Sequence, residues 1–400
     1  MLRYLLPAFL ALTPALTLRA ADWPQFRGPN ATGVSADKNL PSEWSKDKGQ
    51  KWKMPLPARG LSSPVVVGDR VYVTCASGIR GDRLHVLCFD ADTGKHLWHR
   101  QLQATGSTAC HQKSNMAANT PVADEDGVYA LFGTGDLAAF DKDGTLRWYR
   151  SLVTDYPTIT NAVGMAASPV LVAGKLIVPM DNAGESFLAA VDTKYGKNVW
   201  KTERPRDINW TTPLVRQVGS TTEVLFAGPK GLTAYDAATG TDRWAFKGGG
   251  GSIPVGVIDG DALYLPVGGV SKFKLDAKGV TEKPEWAAKE MATGYPSPLV
   301  YGGRVFTVGS QGLMACTDAK TGKVLYTERL KGVFSASPVA GDGKVYFLNE
   351  TGACTVVSAK ADEYELLGVN ELGEGSMGTP AIAHGRVYIR TDKALYAIGK

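Results

Sequence analysis

The sequence predicts an all-β fold, an eight-bladed β-propeller of four-stranded antiparallel blades, from three observations. A small or polar residue before proline recurs eight times, each time opening an apolar run. An aspartate, a tight turn and an indole recur between these openings. The last unit stops one strand short, and the amino-terminal side carries a segment that supplies it.

The openings are SPVVVGDRVYV at 63, TPVADEDGVYAL at 120, SPVLVAGKLIV at 168, TPLV at 212, IPVGVIDGDALYL at 253, SPLVYGGRVFTV at 297, SPVAGDGKVYFL at 337 and TPAIAHGRVYI at 379. Successive prolines, from Pro64 to Pro380, stand 57, 48, 44, 41, 44, 40 and 42 residues apart. Within a unit, Val, Ile, Tyr and Phe form short runs broken by Gly or Asp-Gly, which is a strand pattern. The first unit divides into strands over Pro64–Val67, Arg70–Cys75, Leu84–Asp90 and Lys95–Leu102. A helical assignment fails because apolar positions do not recur at three and four.

The turn that joins the third and fourth strands reads FDADTGKHLW at 89, with variants DKDGTLRW at 141, DTKYGKNVW at 192, DAATGTDRW at 236 and DAKTGKVLY at 318. Asp90 is placed to fold its carboxylate onto following N–H groups, and Gly94 to take a positive φ. The aromatic residue then falls on the outer strand. A ring repeated blade after blade is a packing element rather than a ligand platform, since a ligand site is single. Trp52, Trp98, Trp148, Trp200, Trp244 and Tyr326 are therefore assigned to docking one blade on the next. Cys88 and Cys316 stand two residues before the turn aspartate, where other units have Ala139, Ala190 and Ala234, so the slot asks for a small apolar residue.

The chain stops at ALYAIGK, just after a third strand. GQKWKMPL at 49–56 carries Trp52 and Leu56 at the W-x-x-x-L spacing of Trp98/Leu102 and is expected to complete the eighth blade. The division is a signal peptide over 1–20, an extension over 21–49 and a propeller over 50–400. Residues 1–20 begin with Arg3 and continue as an apolar run interrupted by Pro7 and Pro14, an export signal without a lipid-attachment cysteine. The expected location is periplasmic or secreted, with no transmembrane segment. A net charge of +5 without basic runs excludes nucleic acid as a partner. Five scattered cysteines make neither a disulfide framework nor a C-x-x-C motif. The expected state is a monomer.

ADADTGKHLW and DAATGTDRW resemble the docking repeat of pyrroloquinoline-quinone (PQQ) dehydrogenases, A-x-D-x-x-T-G-x-x-x-W, over about residues 50–400. DWPQFRGPNATGVS and SFLAAVDTKYGKNVWKTER…NWTTPLV are similar to exported PQQ-like repeat proteins of planctomycetes and related bacteria. In size and blade number the chain also resembles the barrel-assembly lipoprotein of the Gram-negative outer membrane, a scaffold without cofactor. The resemblance implies a propeller; it departs from quinoprotein dehydrogenases in having no adjacent Cys-Cys pair and no matching calcium ligands.

Recognition is expected where the units differ, on the face that gathers the blade-to-blade loops and the loops between second and third strands. The longest insertion, STACHQKSNMAANTP, brings His111, Lys113 and Asn115. ERPRDINWTTP brings Arg204, Asn209 and Trp210, outside the docking register. Asp181 in MDNAGES and Tyr295 before Pro296 complete the candidates. No catalytic residue and no metal set are assigned. The leading expectation is a non-catalytic binding or scaffold propeller for a protein or glycan partner. The alternative is an oxidoreductase acting on alcohols or sugars with PQQ and calcium.

Overall fold

The computed structural model describes residues 21–248 and 250–400, so the expected signal peptide lies outside the described residues. Eight antiparallel sheets follow one another around an axis. Their innermost strands are Val65–Val67, Val122–Asp124, Val170–Val172, Leu214–Val218, Val257–Asp259, Leu299–Tyr301, Val339–Gly341 and Ala381–Ala383, which open blades 1 to 8. Blade 1 runs Val65–Val67, Arg70–Ser77, Arg83–Asp90 and His96–Gln103, within two residues of the sequence assignment at every end. The ring closes as expected. Gln50–Pro55 pairs with Ala394–Gly399 and places Trp52 opposite Ala397, so the amino-terminal strand is the outer strand of blade 8.

The register corrects one alignment. In blade 5 the innermost strand starts three residues after Pro254, and the Val255 N–H makes the inter-blade hydrogen bond that Ser63 makes in blade 1. Gly256, not Pro254, therefore occupies the proline slot. Blade 5 also splits its outer edge. Gly279–Val280 and Trp286–Ala288 both pair with Val270–Asp276, because the longer turn DAKGVTEKPEW interrupts the strand at Pro284.

Four of the assigned docking indoles share one chemistry. The Trp98 indole Nε1 donates to the Lys142 carbonyl at 2.8 Å, Trp148 to Thr193 at 2.9 Å, Trp200 to Ala237 at 3.1 Å and Trp52 to Ala91 at 3.1 Å. Each acceptor lies in the turn of the following blade. The turn glycine takes the face of the same ring. A Cβ built on Gly144 would stand 2.7 Å from Trp98, and one on Gly196 would stand 2.6 Å from Trp148. That glycine thus answers two needs, a φ of 70° at Gly196 and an approach that no side chain permits. Trp286, outside the sequence assignment, docks the same way on Ala319 and Gly322. Trp244 differs. Its ring still faces Gly279, but its N–H goes to Glu223 of its own blade at 3.2 Å. Tyr326 packs on Tyr364 at 6.3 Å, and its hydroxyl has no partner among the described residues.

Opposite each ring on the third strand stands a small residue: Cys88 faces Trp98, Ala139 faces Trp148, Ala190 faces Trp200 and Cys316 faces Tyr326. This explains the small slot. Burial pushes the Cys88 thiol up to about 12, so it is an inert filler.

Blade 7 has Gly368 where the other outer strands carry their ring. The segment before the first strand fills that place. Pro41 accepts from the Tyr346 hydroxyl at 2.7 Å, and the Trp44 N–H donates to Asn370 at 2.6 Å. The Trp44 ring meets Tyr346 at 6.5 Å, much as Trp98 meets Tyr72 at 5.9 Å. A Cβ on Gly368 would stand 2.5 Å from the Ser42 carbonyl, so the outer strand gives up its side chain to admit the segment.

The stretch DWPQFRGPNATGVS enters the axial channel. Trp23 exchanges two main-chain hydrogen bonds with Val66 of blade 1, and Pro24 accepts from Ala123 of blade 2. Ala31 packs with Leu214 of blade 4, and Gly33 and Ser35 bond Ala340 of blade 7. Arg27, Asn30 and Ala31 all hold a positive φ, between 54° and 61°. A short run with three such residues persists because the walls on several sides determine it.

Candidate functional site

The proline motif has a second purpose, visible only when the blades are side by side. The Thr120 hydroxyl accepts the Ser63 N–H at 3.0 Å, Ser168 accepts from Thr120 at 3.0 Å, and Thr212 accepts from Ser168 at 3.2 Å. Ser297 accepts from Val255 at 2.9 Å, Ser337 from Ser297 at 3.0 Å, and Thr379 from Ser337 at 3.0 Å. In six blades the residue before the proline is thus polar because its hydroxyl ties a blade to its neighbour around the axis. The chain of bonds is interrupted at blade 5, where Val255 has no hydroxyl to offer, and no such bond joins Thr379 to Ser63 among the described residues.

These residues wall a pocket of about 190 Å³ on the loop face of the axis, with Phe26 of the amino-terminal plug also lining it. Around it stand Trp210, Tyr295, Met377 and the loop residues His111 and Lys113. No aspartate or glutamate lines it.

The 107–121 insertion lies along the mouth. Its main chain is tied down by His111 N–H to Val163 at 3.0 Å, and by the Ala117 carbonyl, which accepts from both Leu61 and Ser62. From this base Lys113 reaches Glu350 of blade 7 at 2.8 Å and lies 5.4 Å from the Tyr295 ring. Ser335 also donates to Glu350, at 2.6 Å. Asn115 turns away from the pocket. It donates to Arg59 at 3.1 Å and accepts from the Ala117 N–H at 2.6 Å, closing its own loop.

Trp210 is held by its ring N–H on Gly164 at 2.6 Å and by its main chain on Ser252. Its sequence neighbours do not join it in the pocket. Arg204 grips Asp181 with two nitrogens at 2.8 and 2.9 Å, Asn209 donates to the same carboxylate at 2.9 Å, and the Tyr235 hydroxyl accepts from Arg204 at 2.6 Å. Both charged side chains are buried, 6% and 3% exposed, and the guanidinium lies 4.0 Å from the Phe226 centroid. Burial pulls the Arg204 pKa down, but the hydrogen bonds and charge of Asp181 outweigh it and hold it above the usual value. Three of the candidates are thus each other's partners, in a closed network between blades 3 and 4. Glu185, beside Asp181 in sequence, turns to Lys201 at 2.7 Å. The two carboxylates of MDNAGES are thus paired with two different cations.

The plug, the hydroxyl ring, Trp44 and Glu350 were not singled out as functional from the sequence. The hydroxyl ring had a signal, a Ser or Thr at seven of the eight openings. Arg27 and Phe26 had only their place in a motif of unassigned role.

PQQ with calcium is the group the fold's resemblance implies, and the residues do not fit it. Among the described residues, no three His, Cys, Asp or Glu side chains are grouped to hold a metal ion. The pocket has no carboxylate, and its volume lies below the ~300–1,000 Å³ usual for sites that bury a ligand of that size.

Comparison with known proteins agrees with the architecture. A polyvinylalcohol dehydrogenase of Pseudomonas sp is 26% identical over 240 residues, 48% of this chain and 35% of that protein. Outer membrane protein assembly factor BamB of Alkalilimnicola ehrlichii is 30% identical over 220 residues, 52% of this chain and 49% of that protein. The matches thus span half or less of these curated relatives' length. Quinohemoprotein alcohol dehydrogenase from Comamonas testosteroni superposes with a TM-score of 0.74 at 15% identity, covering 96% of this chain and 82% of that one, which is a likeness of fold. A family model described as outer membrane protein assembly factor BamB matches residues 31–245 and 229–398, and the chain belongs to that family of PQQ-like repeat propellers.

Proposed function

We propose that the protein is an exported, non-catalytic binding propeller that receives a protein or glycan partner on its axial loop face. The observation that carries this reading is the construction of that face. A pocket walled by hydroxyls and rimmed by Trp210 and Tyr295 sits beneath an ordered insertion, and its lining brings His111 and Lys113 but no aspartate or glutamate. The family match to an assembly factor supports a scaffold role, and export is the expectation from residues 1–20. Among the described residues no helix is long and apolar enough to cross a membrane. A monomer is the simplest form of such a binder.

A second reading, a PQQ and calcium oxidoreductase, is favoured by the match to polyvinylalcohol dehydrogenase. One experiment separates the two. Purified protein is titrated with PQQ and calcium while absorbance and dye-linked oxidation of alcohols and sugars are followed. The binding reading expects neither saturation nor turnover; saturable binding with turnover would replace it.

A further inference from the structure

The axial pocket carries more information than its shape. Six of its hydroxyls, on Thr120, Ser168, Thr212, Ser297, Ser337 and Thr379, each accept a main-chain N–H from the neighbouring blade. None of the six donates its own proton to a protein group among the described residues. A hydroxyl has one proton and two lone pairs, and with a lone pair engaged at the wall its proton is free to turn to the axis. The pocket is therefore a ring of available donors, with His111 above it, Lys113 at its rim paired with Glu350 at 2.8 Å, and no carboxylate among its lining residues.

The charge beneath the ring has the same sign. Arg27 is fully buried, and its Nη2 donates to the carbonyls of Pro298 and Thr32. Pro298 follows Ser297 of the ring. A Cβ built on Gly33 would lie 3.5 Å from the Arg27 Nε and 3.3 Å from the carbonyl of Pro338, which follows Ser337. The guanidinium thus sits one residue below two ring hydroxyls, and the preceding residue, Phe26, lines the pocket. Arg27 makes no ion pair among the described residues, and its Nε and Nη1 have no partner there. Burial pushes its pKa down to about 9. A second fully buried guanidinium, Arg390, contacts Ser62, beside the ring residue Ser63, and is likewise lowered by burial. Arg27, a buried cation without a bonded carboxylate, makes this part of the axis a region of positive potential in low dielectric.

We infer that the axial pocket is an oxyanion site, taking a small carboxylate or phosphate that accepts from the hydroxyl ring and is held by the field of Arg27. This rests on the reading of the loop face as the recognition face. It names the chemistry that face receives, and a volume of about 190 Å³ suits a small anion or the anionic end of a larger molecule.

The test is calorimetric titration of the full exported chain with inorganic phosphate, with malonate and with erythritol as the neutral control, in low salt. The expected result is saturable binding of one or both anions and none of erythritol. Binding of both, each displacing the other, supports one site of broad oxyanion chemistry. Binding of one alone supports the site and identifies whether phosphate or carboxylate is its source. In Arg27→Gln the affinity should fall by about tenfold, as expected when a buried positive charge close to the site, rather than a direct contact, is removed. Should that variant fail to fold, Thr120→Val removes one pocket donor, together with the acceptor of the Ser63 N–H, and should also weaken binding. No heat from either anion at millimolar concentration, erythritol binding as well as the anions, or unchanged affinity in folded Arg27→Gln would each overturn the inference. Anion binding with no partner captured at the loop face would leave this site standing and remove only the scaffold reading.

Discussion

The outer strands and the axial mouth are built from the same repeat and treat it in opposite ways. On the outer strands the repeat is kept: an indole, a carbonyl of the next turn and a glycine against the ring face recur from Trp52 through Trp200 with one geometry. At the mouth the repeat is broken by the 107–121 insertion, by Trp210 and by the loss of a hydroxyl at Val255. Side chains that repeat share one job at every blade, which is closure. Side chains that occur once, facing a common axis, are the ones able to recognise something. The hydroxyl ring joins the two regimes, since it repeats and also faces the axis.

The comparison can be broken most severely at a docking glycine. Gly196→Val would force a branched side chain into a positive φ and into the Trp148 ring. The expected loss is about 3–5 kcal/mol, from strain and overpacking together. Urea unfolding measures it, and a loss under about 1 kcal/mol would show that the ring does not need that approach.

Trp44→Ala tests whether the borrowed ring on blade 7 is equivalent to the native ones. It should lower stability by about 3 kcal/mol, close to the truncation of other buried aromatics. A negligible effect would make the 40–44 segment a passive cover rather than a docking element.

The smallest effect sharpens the rule that single occurrence marks a site. His85, His99 and His96 occur only on blade 1, yet they lie along its face and not at the mouth. His85 is buried, bonds His99 at 2.8 Å and Ser77 at 2.7 Å, and burial, followed by the neighbouring His99, lowers its pKa to about 4. In the unfolded chain a histidine titrates near ~6.5. As pH falls from there toward 4, the unfolded state takes up a proton that the folded state refuses, so stability declines across that window and is unaffected above it. Calorimetric Tm between pH 7.5 and 4.5 should fall, and the slope should be shallower in His85→Gln. Equal slopes would mean that the pair carries no proton linkage.

Blade number, the closing strand and the role of the small slot were legible because each is periodic, and a period can be counted in a chain. The first unit's strand ends were legible because Gly68, Asp82 and Gly94 punctuate them. The misplaced proline of blade 5 shows where counting stops, because Pro254 opens an apolar run as the other prolines do but follows Ile253 and stands outside the hydrogen-bond register. His111, Lys113, Trp210 and Tyr295 were selected as departures from the period, and all four line the pocket. Asp181, Arg204 and Asn209 were selected by the same argument and satisfy one another instead. Pairing between Met180–Asn182 and the 203–209 loop depends on how neighbouring blades meet, which no local pattern states. Arg27 and Trp44 were illegible for the same reason, since their partners lie some 271 and 326 residues away.

The division between closure and recognition is tested most directly by one pair of urea unfolding curves, for Trp98→Ala and Trp210→Ala. Trp98 bridges two blades and is 6% exposed, whereas Trp210 is half-buried on the pocket rim. The account predicts a loss of about 3–5 kcal/mol for the first and under about 1 kcal/mol for the second. Equal losses, or the larger one at Trp210, would contradict it.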